Sequence, residues 1–193
     1  MKKIKLLIIF LIPILLLTGC DNSDNSKLKK VIKNTSITDR GLKSYRCKVT
    51  ISNNDDNISY VVLNSENKNY DISVSTKDNN YSYSIKDDKI MGKAIDTNMN
   101  YDYTNTDKFL DGLNNATDIK SSKEKIDNNE YDKYTFKINK SSINDILSTF
   151  NIKVKKDGNG YAYVDKDNHA YIINYKSGNI NINISYTRYE DVK

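Results

Sequence analysis

The single histidine of this chain stands in a short run of potential metal ligands. Asp165, Asp167 and His169 occupy alternate positions, so an extended segment could present all three to one cation. Carboxylate oxygens suit Ca²⁺, but the spacing is not that of an EF-hand loop. Asp and Asn occur preferentially in turns, and this preference favours a hairpin turn with an exposed His169. We therefore predict no metal site here.

Cys47 is a second residue whose type could support chemistry. It lies in an alternating run with Tyr45, Val49 and Ile51, which predicts a small buried hydrophobic residue. A reactive thiol is the alternative. It would need a pKa lowered by a basic neighbour or a helix N-terminus.

Other catalytic patterns are not found in the sequence. His169 has no Gly-x-Ser-x-Gly motif near it, and no glycine-rich phosphate loop occurs. Asp87 and Asp88 are adjacent acids in a predicted turn, without the sign of burial that tunes carboxyl groups for acid–base work. We predict that the protein is not an enzyme and uses no cofactor.

The charge balance gives no support for a nucleic-acid partner. The 193 residues include 30 Lys and Arg against 25 Asp and Glu. Three of those lysines, Lys2, Lys3 and Lys5, precede the apolar run at the start of the chain, and without them 27 bases face 25 acids. Nucleic-acid binding requires bases clustered on one face. Only 37% of residues are hydrophobic, so the core must draw on the 15 tyrosines.

The first nineteen residues have the layout of a secretory signal. A basic start precedes the apolar run Leu6–Leu17, and the small residues Thr18 and Gly19 follow. A membrane-spanning helix is the alternative, but that needs about 20 apolar residues, and Pro13 interrupts this shorter run. We predict a signal peptide over residues 1–19.

The sequence Leu17-Thr18-Gly19-Cys20 resembles the lipobox of bacterial lipoproteins. The resemblance implies that the Cys20 thiol receives a diacylglyceryl group and becomes the new N-terminus after cleavage. Two acyl chains would hold the protein on the extracytoplasmic face of the cell membrane for long periods. The alternative is an ordinary secreted protein that has a cysteine after its signal.

The residues after Cys20 predict a tether and then one domain. Asp21–Ser26 contains no apolar residue, so residues 20–26 are predicted to be the lipidated cysteine and a flexible tether. Leu28, Val31 and Ile32 then predict a short amphipathic helix. Its lysines could contact anionic lipid headgroups, although a solvated face on a packing helix explains them too. Residues 27–193 are predicted to form a single β-rich domain.

Alternating apolar residues predict short strands joined by Asn/Asp turns from residue 45 onward. In the last strand, Ile180, Ile182, Ile184 and Tyr186 alternate with asparagine and serine. Helical spacing interrupts this rhythm near Thr106–Asn115 and Ser141–Phe150, with Ser141 or Ser142 as the N-cap of the second segment. The predicted class is α+β, mainly β: a curved, half-barrel-like antiparallel sheet covered by two short helices.

The order of these elements resembles the LolA/LppX-type half-barrel lipoproteins. The residues that carry the resemblance are Gly41–Tyr45, Tyr161–Asp167 and Ile184–Tyr189. In that family a curved sheet holds the acyl chains of lipids or lipoproteins between its concave face and the helices. The resemblance implies a cavity that binds a lipid or another amphiphile, with Val49, Ile72, Phe109 and Phe136 as candidate lining residues.

The same alternation is also what a sheet needs to pack against two helices. The alternative function is therefore an interaction or structural protein displayed on the envelope, with a filled core and no ligand cavity. The sequence names no protein partner for it.

Overall fold

The structure is a computed structural model, and it describes residues 21–36, 45–53, 56–65, 69–78, 80–86, 89–92 and 106–188. The predicted signal peptide, Cys20 and the acidic pair Asp87–Asp88 lie outside these residues. No helix in the described ranges is both long enough and apolar enough to cross a membrane.

Ten antiparallel strands form one curved sheet, as predicted. They are β1 (Tyr45–Asn53), β2 (Asp56–Ser65), β3 (Asn69–Ser75), β4 (Asn80–Lys86), β5 (Lys89–Gly92), β6 (Thr117–Ile126), β7 (Asn129–Ile138), β8 (Gly158–Val164), β9 (Ala170–Ser177) and β10 (Ile180–Arg188). Their order in the sheet is β5-β4-β3-β2-β1-β10-β9-β8-β7-β6. The first and last described strands are neighbours at its centre, and β5 and β6 are its edges.

The register of the central strands follows the hydrophobic alternation. Val49 of β1 lies opposite Ile184 of β10, and Ile51 lies opposite Ile182. All four side chains are buried on the inner face. A slip of one residue would exchange the isoleucines of β10 for asparagine and serine, which fixes the pairing. The two-residue turn before β10 begins at Gly178, whose φ of 60° suits a residue without a Cβ.

The described residues include three α-helices, which pack against the inner face of the sheet. Two of them are extended by 3₁₀ turns. They are α1 (Asp21–Thr35), α2 (Asp111–Asn114), which follows a 3₁₀ turn at Thr106–Leu110, and α3 (Lys140–Leu147), which a 3₁₀ turn at Ser148–Phe150 continues. The last two match the predicted helical segments. The N-cap prediction is wrong, because the side chain of Asn139 accepts the hydrogen bond from the Ser142 N–H at 2.8 Å.

α1 corrects the prediction for the residues after Cys20. Asp21–Ser26 is helical and is not an irregular tether. Leu28 and Val31 are buried, and the carboxylate of Asp24 accepts a hydrogen bond from the Ser121 hydroxyl of β6. Side-chain contacts of this kind compensate for the absence of apolar residues in the first turns. The helix is therefore packed on the folded domain from Asp24 onward.

Candidate functional site

The four candidate lining residues are all buried in one hydrophobic cluster, but they form two separate groups. Val49 and Ile72 lie on β1 and β3, whereas Phe136 lies on β7 and Phe109 lies in the 3₁₀ turn before α2. Because β3 and β7 are six strand spacings apart, about 29 Å separates them along the sheet. The set therefore cannot line one small pocket, and each half of the inner face has to be considered by itself.

Phe109 and Phe136 both contact Tyr175 of β9. The Tyr175 hydroxyl donates to the Phe109 carbonyl oxygen at 3.1 Å, and its ring meets Phe136 edge-on at 5.9 Å between centroids. Burial of this fully enclosed phenol raises the pKa of Tyr175 far above its usual range. The Tyr175 hydroxyl is therefore satisfied by the main chain of Phe109, and its ring packs against Phe136.

Two glycines show how closely this half is packed. A Cβ on Gly160 of β8 would collide with the ring of Phe136 and would lie 2.5 Å from the Asn174 carbonyl oxygen. A Cβ on Gly112 of α2 would lie 2.7 Å from the Tyr175 ring. Contacts this short leave no room for even a methyl group, so the half of the sheet under α2 and α3 is a filled core.

The inner face of β10 and β1 to β4 carries a continuous apolar row that crosses these five adjacent strands. We call it the inner row, and the register places its members side by side: Tyr186, Cys47, Val62, Ile72 and Tyr83. Each is buried, and Val49 lies two residues along β1 from Cys47. Of the predicted lining residues, the row contains Ile72, and Val49 lies beside it on β1. The row is the candidate ligand-binding face.

Cys47 is a buried small residue, as predicted. It forms no disulfide, and its pKa is raised far above the usual range, chiefly by burial. The Tyr186 side chain lowers that pKa by a hydrogen bond, and the charge of Asp107 raises it, but both effects are smaller than that of burial. The thiol stays protonated, so a reactive cysteine, the alternative interpretation, is wrong for this position.

The prediction of an exposed His169 is wrong, because its side chain is only 5% exposed. One carboxylate oxygen of Asp165 accepts the backbone N–H groups of Asp167 and His169, at 2.9 and 2.8 Å. Its other oxygen lies 3.3 Å from His169 Nδ1. The potential ligand atoms of the three residues lie within 4.8 Å of one another. The hydrogen bonds of Asp165 are those that close the β8–β9 turn, which accounts for the cluster without a cation.

This turn is also fastened to the end of α1. The buried N–H of Ala170 donates to Thr35 Oγ1 at 2.7 Å, and the Asn34 side chain donates to the Asp167 carbonyl oxygen at 3.1 Å. These contacts connect residues more than 130 positions apart. The polar cluster is therefore part of a joint between helix and sheet.

An aromatic group on the outer face was missed in the sequence. Tyr131 stacks on Tyr171 at 5.0 Å, and Tyr161 meets Tyr163 edge-on at 5.3 Å. The Tyr163 hydroxyl donates to Glu124, and Lys133 pairs with the same carboxylate at 2.8 Å. The alternation of Tyr161 and Tyr163 with small apolar residues was the available signal. Neighbouring rings and one ion pair across strands stabilise a sheet, and this group is explained in that way.

Comparisons with known proteins give a fold and no family. No protein-family model matches the sequence, and no curated protein matches it. Among solved structures, the chain is similar to LprF from Mycobacterium bovis, with a TM-score of 0.55 and 12% identity over 88% of this chain and 94% of that one.

Two further structures show weaker likeness. The lipoprotein LppX from Mycobacterium tuberculosis has a TM-score of 0.48 and 16% identity over 89% of this chain and 99% of its own. A putative outer membrane lipoprotein-sorting protein domain from Vibrio parahaemolyticus has a TM-score of 0.29 and 4% identity over 88% and 94%. The likeness to LprF, which extends over nearly the whole of both chains, shows that this protein has the LprF fold.

Proposed function

We propose that this protein is an extracytoplasmic lipoprotein, anchored to a membrane through Cys20, that binds a lipid or another amphiphile without catalysis. The ligand would lie along the inner row of β10 and β1 to β4. Three arguments support the proposal. They are the lipobox-like sequence that ends at Cys20, the function that the half-barrel resemblance implies, and the apolar lining of the sheet.

The observation that carries the proposal is the continuous apolar row that crosses β10 and β1 to β4. Phe136, Gly160 and Gly112 are packed too closely to admit a ligand. The inner row instead offers apolar side chains on five neighbouring strands, a lining that suits acyl chains rather than a polar ligand. Ile72 is at its middle, and we place the binding site there.

The described side chains that could do chemistry support a role in binding. Cys47 is held as a neutral thiol, and His169 is held against Asp165 in a turn. Catalysis by either group would require a pKa near the working pH or a partner in reach of substrate. Both side chains instead contribute to packing and to closing a turn.

A substitution that fills the binding face tests the proposal. Protein isolated from a bacterial membrane is examined by native mass spectrometry for bound lipid beyond its own anchor. We expect wild type to carry lipid and Ile72→Trp to lose at least about nine-tenths of it, because the added ring would occupy the site. Ser73→Trp is the matched control, since Ser73 is the next residue of β3 and faces outward.

The outcomes separate the two functions considered. Lipid on wild type and on Ser73→Trp but not on Ile72→Trp supports ligand binding. Wild-type protein that carries its anchor but no further bound lipid contradicts ligand binding. That result supports the alternative function, an envelope-displayed interaction protein with a filled core. The close packing around Gly160 and Gly112 is the observation that favours this second function.

A further inference from the structure

The outward face of α1 is a row of lysines. Buried Leu28 and Val31 fix which side of the helix meets the domain. At 100° per residue, Lys29, Lys30 and Lys33 project from the opposite side, and all three are exposed. Lys27 lies at the flank and is exposed too.

This row has a positive charge that its own helix does not cancel. Between residues 23 and 35, the part of α1 whose side chains are described, the only carboxylate is Asp24. Asp24 is engaged on the flank, where it lies 3.7 Å from Lys27 and accepts from Ser121 at 3.1 Å. The three outward lysines are therefore available to an anionic surface.

The helix is held rigidly in this orientation. Its C-terminal end is fastened to the β8–β9 turn through Thr35 and Asn34, and its N-terminal half is fastened to β6 through Asp24. A rotation that turned the lysines inward would break these contacts and expose Leu28 and Val31. The lysine row is therefore a fixed feature of the domain's surface.

The position of the row relative to Cys20 decides what can contact it. α1 begins at Asp21, the residue directly after Cys20, so one Cα–Cα step of about 3.8 Å separates the proposed anchor from the helix. A flexible tether would have let the domain stand away from the bilayer. Without it, acylation of Cys20 brings the N-terminal end of α1 to the headgroup layer, with the lysine row a few helical turns away on the same helix.

We propose that the outward face of α1 docks on anionic phospholipid headgroups through Lys29, Lys30 and Lys33, which sets the orientation of the domain on the membrane. This inference rests on the proposed anchor at Cys20. Lysines near an anionic surface each strengthen binding about fivefold, and salt weakens that attraction. Membrane binding then depends on two contacts, the acyl chains in the bilayer and the α1 lysines at the headgroups.

The test uses acylated wild-type protein reconstituted into vesicles of phosphatidylcholine alone or with phosphatidylglycerol. An amine-reactive reagent labels lysines, and mass spectrometry reads each one. We expect labelling of Lys29, Lys30 and Lys33 to fall at least about threefold on the anionic vesicles and to recover in high salt. The internal control is the group Lys153, Lys155 and Lys156, which is exposed before β8 at the opposite end of that strand from the α1 joint.

Matched charge-reversal variants give a second readout. The triple variant K29E, K30E, K33E should transfer from anionic donor vesicles to zwitterionic acceptors at least about tenfold faster than wild type. The triple variant K153E, K155E, K156E makes the same charge change elsewhere and should transfer at the wild-type rate.

Flotation with the vesicles separates the anchor from the docking face. Protein that floats with its α1 lysines labelled as fully as the control lysines overturns the docking inference and leaves the anchor standing. Protein that does not float on either vesicle overturns both. Protein that floats with protected, salt-sensitive lysines supports the docking face.

Discussion

The thiol of Cys47 lies on the inner face of β1, between Val62 of β2 and Tyr186 of β10. Its neighbours are the aliphatic side chain of Val62 and the phenol of Tyr186, which hydrogen-bonds the thiol, and Cys47 has no solvent exposure. Desolvation penalises the thiolate far more than the neutral thiol, so burial raises the pKa of Cys47. The alternation around Cys47 predicted this burial correctly.

We predict that Cys47 does not react with a maleimide in the native protein and reacts fully after unfolding in denaturant. Only the thiolate is a good nucleophile. Burial of Cys47 disfavours the thiolate and also keeps the reagent away from the sulfur atom. Intact-protein mass spectrometry measures the adduct. Ser82→Cys, on the exposed side of β4, is the control that should be labelled under native conditions. Native labelling of Cys47 as fast as that control would contradict the burial.

His169 shows the limit of local sequence information. Its neighbours Asp165 and Asp167 correctly indicated a turn, but the sequence placed the imidazole in solvent. His169 is buried in a turn that is joined to α1, where Thr35 accepts a hydrogen bond from the Ala170 N–H, 135 positions away. A contact of that separation leaves no periodic signal in the residues on either side of it.

At the level of elements, alternation predicted the strands and helical spacing predicted α2 and α3, since each pattern records which side is buried. The ends of the helices were harder. Asp21–Ser26 has no apolar residue, and only its contact with β6 explains why the helix begins there. The candidate lining residues were each correctly placed in the interior, but their separation into two groups depends on the strand order, which no local pattern contains.

The start of α3 supports a prediction at this scale. Asn139→Ala should lower the free energy of unfolding by about 1 kcal/mol, because the Ser142 N–H loses its side-chain acceptor. Asn139→Asp keeps an acceptor and should cost much less. Ser141→Ala, at a cap position proposed from sequence alone, should be close to neutral. Urea unfolding measures all three, and a larger loss for Ser141→Ala than for Asn139→Ala would contradict the cap.

The hydrogen bond between Thr35 of α1 and Ala170 of β9 supports a second prediction about an element. Thr35→Val preserves the shape of the side chain but removes the acceptor of the buried Ala170 N–H, so the expected loss is about 1–3 kcal/mol. Thr35→Ser keeps the hydroxyl and should retain most of the stability. Hydrogen exchange at the Ala170 amide measures how strongly the variant weakens the protection of this turn. Equal protection in wild type and Thr35→Val would show that α1 does not hold this turn.

The whole molecule compensates for its few aliphatic residues with buried tyrosines. Of 15 tyrosines, Tyr134 and Tyr175 are among the largest side chains that are almost wholly enclosed. Tyr134 lies opposite Ala162, and Tyr175 lies opposite Gly160, so each ring faces a small residue across the strands. These rings fill the core under β7 to β9 with groups that can ionise, which makes the stability of the fold sensitive to alkali.

Alkaline pH should therefore unfold this protein through its core. Burial raises the pKa of Tyr134 from 10.0 to about 12 and raises the pKa of Tyr175 further. Below pH 10.0 both phenols are neutral in the folded and unfolded states, so stability is unaffected by them. Above that value the unfolded chain loses these protons and the folded one keeps them, so the free energy of unfolding falls as pH rises toward about 12.

Urea midpoints measured from neutral pH upward, together with the tyrosinate absorbance, test this alkaline loss. We expect Tyr175 to ionise only as the fold is lost, because its phenol is fully enclosed until then. Tyr134→Phe keeps the ring and removes the proton, so its stability should decline less steeply above pH 10.0. The exposed Tyr171 provides the matched Tyr171→Phe control, which should decline as wild type does. If every tyrosine titrates together while the fold is intact, the rings are not sealed, and the core cannot be the reason for alkaline unfolding.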